Sequence, residues 1–554
     1  MTYLVLVDDP TRPGAVVVHE VTDAGELVAS VGVTAAELPG LVAAREAQRP
    51  RWVWDDTARR YPPLLAAGVQ VARCHDLRLC HAVLRRSARC QDSALARAAP
   101  GPWDGPRPDG QHAQAATLFD DAPSSGEVTE LDPLTELRLQ LAAVAGSTAP
   151  GRLRLLLAAE STGALIAAEM RHDGMPWSTE VHDELLTRLL GERPRHGGRP
   201  PRLAALAEQV RAALDQPALN LDSQPDLLRG LRSAGLDVAS TRTHEIRALV
   251  HPAVGPLLEY KKLARLLSAN GWTWMEAWVR HGRYRPDYVP GGVVTGRWAT
   301  SGGGALQLPA SIRAAVRADP GWKLVVADAA QLEPRVLAAM SGDRAMAAAG
   351  READLYQGVV DAGIVHTREQ AKYAMLGAIY GATTGPSAVL MPQLARAYPR
   401  AVELVEAAAR DGERGAVVST WLGRSSPAPG PVWGAAVQAA VSEDAEADAV
   451  RDARRHRRDW GRFTRNFVVQ GTAAEWALCW MAALRRRLRE IEGRPHLVFF
   501  LHDEVMVHTP TGAAALVADA VREAAAEAGR LLFGSSAVEF TLDVSVVDAY
   551  DEAG

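Results

Sequence analysis

Residues 498–508 read Val-Phe-Phe-Leu-His-Asp-Glu-Val-Met-Val-His. An apolar run delivers His502, Asp503 and Glu504 to a tight turn, and a second apolar run leaves it. Aromatic and β-branched residues on both sides of a short polar break predict two strands joined as a hairpin. Far earlier, residues 323–328 read Lys-Leu-Val-Val-Ala-Asp, a hydrophobic strand ending in Asp328 with Gln331 and Glu333 close behind. Strand ends from distant parts of a chain can meet on one sheet edge. Two carboxylates there can hold two divalent ions about 4 Å apart, one lowering the pKa of an attacking hydroxyl and the other neutralising a leaving pyrophosphate. Hard oxygen ligands suit Mg²⁺, with Mn²⁺ as a substitute. Each site also reads as an ordinary acidic turn at a strand end, and nucleases and cyclases use similar pairs, so the pair alone does not choose a reaction.

Between these turns lies Thr-Arg-Glu-Gln-Ala-Lys-Tyr-Ala-Met-Leu-Gly-Ala-Ile-Tyr-Gly, residues 367–381. Thr367 and Gln370 fit a capping box that starts a helix, and Gly381 fits its stop. Arg368, Lys372, Leu376 and Tyr380 recur every four residues, each about 40° round from the last, in a stripe about 18 Å long. Two cations at the positive end of the helix dipole suit a triphosphate, with its base toward Tyr380. An amphipathic helix with the stripe in solvent is the competing reading.

The rest of the chain supplies context. It has 554 residues, 47% hydrophobic and 23% charged, and a formal net charge of -5. That length predicts several domains, and the charge neither requires nor excludes nucleic acid, which needs only a local basic face. One basic run stands out: Arg451, Arg454, Arg455, Arg457, Arg458, Arg462 and Arg465. It reads equally as a solvated helix face or a phosphate-tracking surface. Tyr3–Val7, Val16–Val21 and Arg51–Trp54 predict strands, with helices following to about Arg89, as in a small α/β domain. Residues 92–132 are rich in Pro, Gly, Ala, Asp and Ser and predict a loop or linker. Residues 152–250 are mainly helical, interrupted at 191–201 and 220–225. Leu257–Leu267 predicts a helix ending near Asn270-Gly271, Gly291–Gly304 an irregular stretch, and Lys323–Ala327 a strand with helices after it to about Arg410. The cysteines, Cys74, Cys80, Cys90 and Cys479, lack the spacing of a zinc knuckle or redox pair. The start carries no basic segment before an apolar run, and no run of about 18 apolar residues suggests a membrane span.

The three central segments, in this order, resemble motifs A, B and C of the family A DNA polymerases, the bacterial polymerase I group. Motif A, Asp-Tyr-Ser-Gln-Ile-Glu-Leu-Arg, is matched by Asp328-Ala-Ala-Gln331-Leu-Glu333-Pro334-Arg335. Motif B, Arg-x₃-Lys-x₃-aromatic-x₃-Tyr-Gly, is matched by Arg368, Lys372, Leu376, Tyr380 and Gly381. Motif C, His-Asp-Glu, is His502, Asp503 and Glu504. Thr295-Gly296-Arg297, Leu306-Gln307-Leu308-Pro309, residues 259–266, 220–223 and 420–424, and Arg462, Asn466 and Gln470-Gly471-Thr472-Ala473-Ala474 resemble further family segments. The resemblance covers about residue 150 to the end.

It implies an α/β multidomain fold: a right-hand polymerase of thumb, palm and fingers, preceded by an RNase H-like exonuclease-type domain. The implied division is 1–145 for a degenerate 3′–5′ exonuclease-like domain (with 92–132 as linker), 146–250 for the thumb, 251–340 for the first part of the palm, 341–435 for the fingers and 436–554 for the rest of the palm. It implies that Asp328, Asp503 and the backbone carbonyl of Ala329 bind metal, with Glu504 a nearby catalytic carboxylate. Arg368 and Lys372 would hold the triphosphate, Glu333 would exclude a ribose 2′-hydroxyl, and Tyr380, Gln331 and Leu376 would surround the nucleotide. Arg297, Gln307, Asn466 and Gln470 would touch DNA, Arg462 would face the template, and His502 would sit at the primer terminus. Three departures bear on this: Ala329-Ala330 for Tyr-Ser, Pro334 for Leu, and Leu376 for an aromatic. Ala305 and Leu308 also replace two asparagines on the DNA side.

In the N-terminal third, the exonuclease chemistry of the family needs Asp-x-Glu on the first strand, and none is present. Asp8-Asp9 and Asp55-Asp56 are the nearest carboxylates. The expected activity is therefore DNA-directed DNA synthesis without proofreading, in gap filling or repair, by a cytoplasmic monomer of the bacterial nucleoid acting on primer–template DNA and deoxynucleoside triphosphates, with no membrane partner. Residual exonuclease activity, a non-catalytic DNA-binding protein on the same fold, and an RNA polymerase are the competing readings.

Overall fold

The structure, a computed structural model, describes residues 2–105, 131–195, 197–304, 308–351, 354–381, 385–440 and 446–553. Gln307, Ala305 and most of the expected linker lie outside them.

The N-terminal sheet has five strands in the order Leu27–Thr34, Ala15–Val21, Tyr3–Asp8, Arg51–Trp54, Cys74–Asp76. The first three pair antiparallel and the last three parallel. Tyr3–Asp8 shows the period of two that a strand covered on both faces requires. Leu4 and Leu6 join Trp52, Trp54 and Tyr61 on one side, while Val5 joins Val53, Leu77 and Leu137 on the other. Leu27–Thr34 was not anticipated; it is an exposed edge strand with almost no core contact to set its pattern. In the segment expected to be loop, Ala94–Arg97 forms a helical turn, and Arg85 ties it down through the carbonyls of Leu95 and Ala98.

The second sheet runs His496–Leu501, Glu504–Pro510, Trp322–Ala329, Leu542–Val547. Its inner strands are buried from Leu324 to Ala327 and from Val505 to Thr509. The 42-residue helix Ala447–Leu488 and the helix Ala514–Phe533 pack together beside it, pinned where the Trp480 indole N–H donates to the Val521 carbonyl at 3.1 Å. An 18-residue window of Ala447–Leu488 is apolar enough to cross a membrane, but 83% of it is buried inside the protein, as in a core helix. In the chain between the strand Trp322–Ala329 and the long helix, Leu332–Ser341, Arg344–Ala349, Leu355–Asp361, Arg368–Tyr380, Gly385–Ala397 and Pro399–Glu413 form a helical layer with its own apolar core.

The chain divides into two compact units: 1–173 with 287–301 and 325–546, and 174–286 with 302–324 and 547–554. The expected boundaries at 145 and 250 do not coincide with this division. The helix Pro150–Asp173 explains the first difference. It packs against both Thr57–Ala66 of the N-terminal domain and the long helix, and a buried triad joins all three: Arg485 donates to Glu169 at 2.6 Å, and so does the Tyr61 hydroxyl. The second unit is mainly helical, with Thr179–Leu190, Pro201–Leu214, Gln224–Ser233 and Val254–Asn270, and holds an aromatic cluster of Trp177, Trp274 and Tyr284.

Candidate active site

Asp328 ends its strand beside the hairpin that carries Asp503. The Ala329 N–H donates to the Asp503 carbonyl at 2.8 Å, which fixes the two acidic turns side by side. The hairpin turn is tight: the Asp503 N–H donates to the Leu501 carbonyl at 2.7 Å, with His502 at its centre in left-handed backbone, φ 58°. A non-glycine residue held there is strained, and such strain clusters at functional sites. On the opposite side of the Asp328 strand lies Leu542–Val547, which brings a third carboxylate, Asp543, into Asp328's field.

The electrostatics follow. Burial, then the charges of Asp503, Glu504 and Asp543, push the Asp328 carboxyl up from 3.8 to about 7. Burial also pushes Asp503 up to about 6, with Arg297 opposing and Glu333 and Glu504 adding. Like charges crowded in this way disfavour one another's ionised form. The donor set fits a divalent ion that keeps water and substrate phosphates in its shell. Among the described residues no group of three or more His, Cys, Asp or Glu side chains could hold a metal ion by themselves. Cys74, Cys80 and His75 are buried in the N-terminal core.

Residues 330–335 form a pinned corner. Gln331 caps the helix Leu332–Ser341 in left-handed backbone, φ 50°. Pro334 falls in the first turn, where its missing N–H leaves no helix hydrogen bond unmade. This departure from the motif is therefore tolerated. Arg335 is 1% exposed and donates to the carbonyls of Ala330, Gly350 and Glu539 at 2.9, 2.6 and 2.7 Å. The corner presents Glu333, which accepts from the Tyr380 hydroxyl at 2.6 Å and is ion-paired to Arg297. Arg297 sits on a turn closed by the Gly296 N–H on the Val293 carbonyl at 2.8 Å. Gly296 has φ 86°, and a Cβ there would meet Arg424 Nε at 2.6 Å, so glycine is required.

Arg368–Tyr380 begins as its sequence predicts: Thr367 accepts from the Gln370 N–H at 3.2 Å. The reciprocal bond differs, because Gln370 reaches the His366 N–H at 3.0 Å instead of that of Thr367. Gly381 closes the helix at φ 69°. Arg368 is ion-paired to Asp354 and lies 5.7 Å from the Tyr356 ring, two partners that the sequence reading missed. Lys372 is exposed and makes no ion pair with any described residue. Leu376 is half-buried. Arg462, Asn466 and Gln470 follow one another at single-turn intervals on the long helix, and Asn466 Oδ1 is buried without a hydrogen-bond partner among the described residues. Tyr288 and Trp298, also missed, brace the strand before His502. Tyr288 Oη donates to the Phe500 carbonyl at 2.8 Å and accepts from its N–H at 3.1 Å, and the Trp298 ring packs on Phe500 at 5.0 Å.

The N-terminal carboxylates have other partners. Arg59 and Arg60 each bridge Asp8 and Asp55, at 2.7–2.9 Å. Asp56 caps one helix and Asp76 the next.

Two acidic turns conjoined at the ends of neighbouring strands, reached from the helix Arg368–Tyr380 through the Tyr380–Glu333 hydrogen bond, make up the candidate site. The sequence model of DNA polymerase family A matches residues 201–552, and the chain belongs to that family. It is 28% identical over 323 residues to DNA polymerase I of Chloroflexus aurantiacus, covering 53% of this chain and 32% of that protein. It is 26% identical over 402 residues to the thermostable DNA polymerase I of Thermus thermophilus, covering 63% of this chain and 46% of that protein. The chain thus spans less than half the length of these relatives. The polymerase domain of Pol1 from M. smegmatis, solved with DNA primer–template and dNTP, superposes with a TM-score of 0.67 at 17% identity, over 98% of this chain and 93% of that one. The fold is accordingly the mixed α/β fold of the family A polymerase domain.

Proposed function

We propose that this chain is a DNA-directed DNA polymerase that adds deoxynucleotides to a primer 3′ end, in gap filling or repair and without proofreading, as a cytoplasmic monomer at the bacterial nucleoid. The observation that carries this reading is the Ala329–Asp503 backbone hydrogen bond. It joins the two acidic turns on an edge that Tyr380 reaches through Glu333.

Asp328, Asp503 and the Ala329 carbonyl would hold two Mg²⁺ ions, with Glu504 beside them. Bound there, the ions supply activation of the primer hydroxyl and neutralisation of the leaving pyrophosphate. The chain's own residues position the reactants. Lys372 and Arg368 grip the triphosphate, and the fingers helix Arg368–Tyr380 closes over a matched nucleotide. Glu333, held between Arg297 and Tyr380, fills the space of a 2′-hydroxyl, with Gln331 and Leu376 nearby. Arg297, Gln307, Asn466 and Gln470 contact the primer–template. In the minor groove they meet acceptors common to all correct pairs and so test shape without reading sequence. Arg462 faces the template and His502 the primer terminus. Loss of proofreading is supported by Arg59 and Arg60, whose guanidinium groups neutralise Asp8 and Asp55, where metal ions would be needed.

The test is extension of a labelled primer–template with Mg²⁺ and deoxynucleotides, beside Asp503→Ala, with a mismatched 3′ end as second substrate. Extension by the wild type alone and an untrimmed mismatch are expected. DNA binding without extension by the wild type would overturn the reading.

A further inference from the structure

The basic run found in the sequence lies on the first half of the helix Ala447–Leu488, where seven arginines face three aspartates over residues 447–465. Three of the arginines are committed: Arg451 to Asp448, Arg462 to Asp459, and Arg465 to Glu406 at 2.5 Å. Arg454, Arg455, Arg457 and Arg458 make no ion pair with any described residue and are exposed. Arg455, Arg458, Arg462 and Arg465 recur at intervals of three and four, which places them on one helix face about 15 Å long. That face lines a cleft of about 460 Å³, opposite Gly377 and Gly381 at the end of the helix Arg368–Tyr380. Three carboxylates also line it. Glu406 and Asp459 are already paired to Arg465 and Arg462, which leaves Arg455 and Arg458 in excess over Glu413.

The arrangement selects its occupant. Convergent donors would make a cage for a small anion, whereas these are drawn out in a row, as a chain of phosphates requires. A cleft of this volume takes a ligand the size of one or two nucleotides, too small for a duplex. The row also continues along the same helix from Arg462 through Asn466 and Gln470, the residues proposed above to meet the primer–template. A concave basic surface focuses its potential on such a strand.

We propose that Arg455 and Arg458 form a phosphate-tracking surface for the single-stranded template ahead of the insertion site, gripping the strand before it is copied. This rests on the primer–template reading above, but it is tested by binding alone. Full-length wild type and the Arg455→Gln/Arg458→Gln double variant are titrated, across salt concentrations, with three primer–templates: one with a long single-stranded template overhang, one with a one-nucleotide overhang, and one whose long overhang is made duplex by a downstream strand. The double variant is expected to bind the long single-stranded overhang about tenfold more weakly, with a log–log salt slope smaller by about 1.4, as two lost single-strand phosphate contacts require. Its affinity for the one-nucleotide overhang should equal that of wild type. Equal binding of the long overhang by both proteins, equal weakening on the long and one-nucleotide overhangs, or a loss confined to the duplex overhang would each overturn the proposal. A wild type that binds but does not extend would sink the polymerase reading, and the overhang-dependent loss in the double variant would still decide whether Arg455 and Arg458 grip single-stranded DNA.

Discussion

Asp328→Asn should stabilise the metal-free protein while abolishing synthesis. The carboxyl is raised from 3.8 to about 7 by burial and by three neighbouring carboxylates. A rise of about three units at about 1.4 kcal/mol each sets an upper limit near 4 kcal/mol for the penalty of ionising it. Asp328 is only partly buried, so water screens the repulsion and about 2 kcal/mol is the working figure. Melting entropy of about 2.1 cal/mol/K per residue gives roughly 1.2 kcal/mol/K for this chain. The variant should therefore melt about 2 °C above wild type in a chelator. The sign with pH follows from linkage. A raised acid favours the folded state fully below its unfolded value of 3.8 and loses that contribution up to its folded value of about 7. The advantage of asparagine should thus be small near pH 4, grow through the acid range and level off above about pH 7. Saturating Mg²⁺ should reverse the order, because a ligand that binds the ionised pair stabilises only the wild type. Scanning fluorimetry in chelator and in Mg²⁺ over this range is the assay. A variant that melts at or below wild type in chelator above pH 7 would refute the crowded-carboxylate argument.

Glu333→Ala removes the acceptor shared by Arg297 and Tyr380 and would open the space proposed for the sugar. Ribonucleotide incorporation relative to deoxynucleotide should rise at least about tenfold in single-turnover kinetics, roughly the range of one lost steric or polar discriminator. Asp354→Asn frees Arg368 from its ion pair, and the KM for deoxynucleotides should fall about twofold to fivefold, in keeping with a largely exposed pair that water screens. An unchanged or higher KM would mean that Arg368 does not reach the triphosphate. Arg59→Ser/Arg60→Ser strips the partners from the buried Asp55, and urea unfolding should show a loss of about 3 kcal/mol, the usual cost of leaving one buried charge unpaired. If those arginines were mere surface decoration, stability would not move.

What the sequence disclosed depended on whether a signal was local. The strands ending at Asp328 and flanking Asp503, and the helix Arg368–Tyr380 with its Thr367 cap and Gly381 stop, carry their own periodicity and punctuation. The 42-residue helix Ala447–Leu488 did not stand out as one element. A Cβ on its Gly471 would lie 2.4 Å from Thr420 Cγ2, so the chain keeps a poor helix former for the sake of close packing. Leu27–Thr34 was missed because an exposed edge strand buries too little to impose a pattern. Asp543, Asp354, Tyr288 and Trp298 were missed for another reason. Tyr288, Trp298 and Asp543 act on residues some two hundred positions away, and Asp354 on one a helix and a loop further on, and nothing in their own neighbourhoods announces the partner. Arg59 and Arg60 belong with them in part: they stand four and five residues after Asp55, but only the fold brings both guanidinium groups onto Asp8 as well.

The same non-local contacts bear on how the site would work. Tyr380 rests on Glu333, and Arg368 rests on Asp354. Two of the groups proposed to meet the nucleotide are thus engaged by carboxylates of the chain itself, while Lys372 has no ion-pair partner among the described residues. An arriving triphosphate can engage Lys372 without breaking an ion pair, but it must displace Asp354 to recruit Arg368. Because one anion replaces another on the guanidinium, the exchange costs little net electrostatic energy, and a closing movement of the helix carrying Arg368 and Tyr380 would carry both side chains off their carboxylates. Nucleotide capture and helix movement would then be a single event. Glu333, tied to Arg297 on one side and Tyr380 on the other, is the residue through which a misfit in the sugar or the base pair would be felt by both.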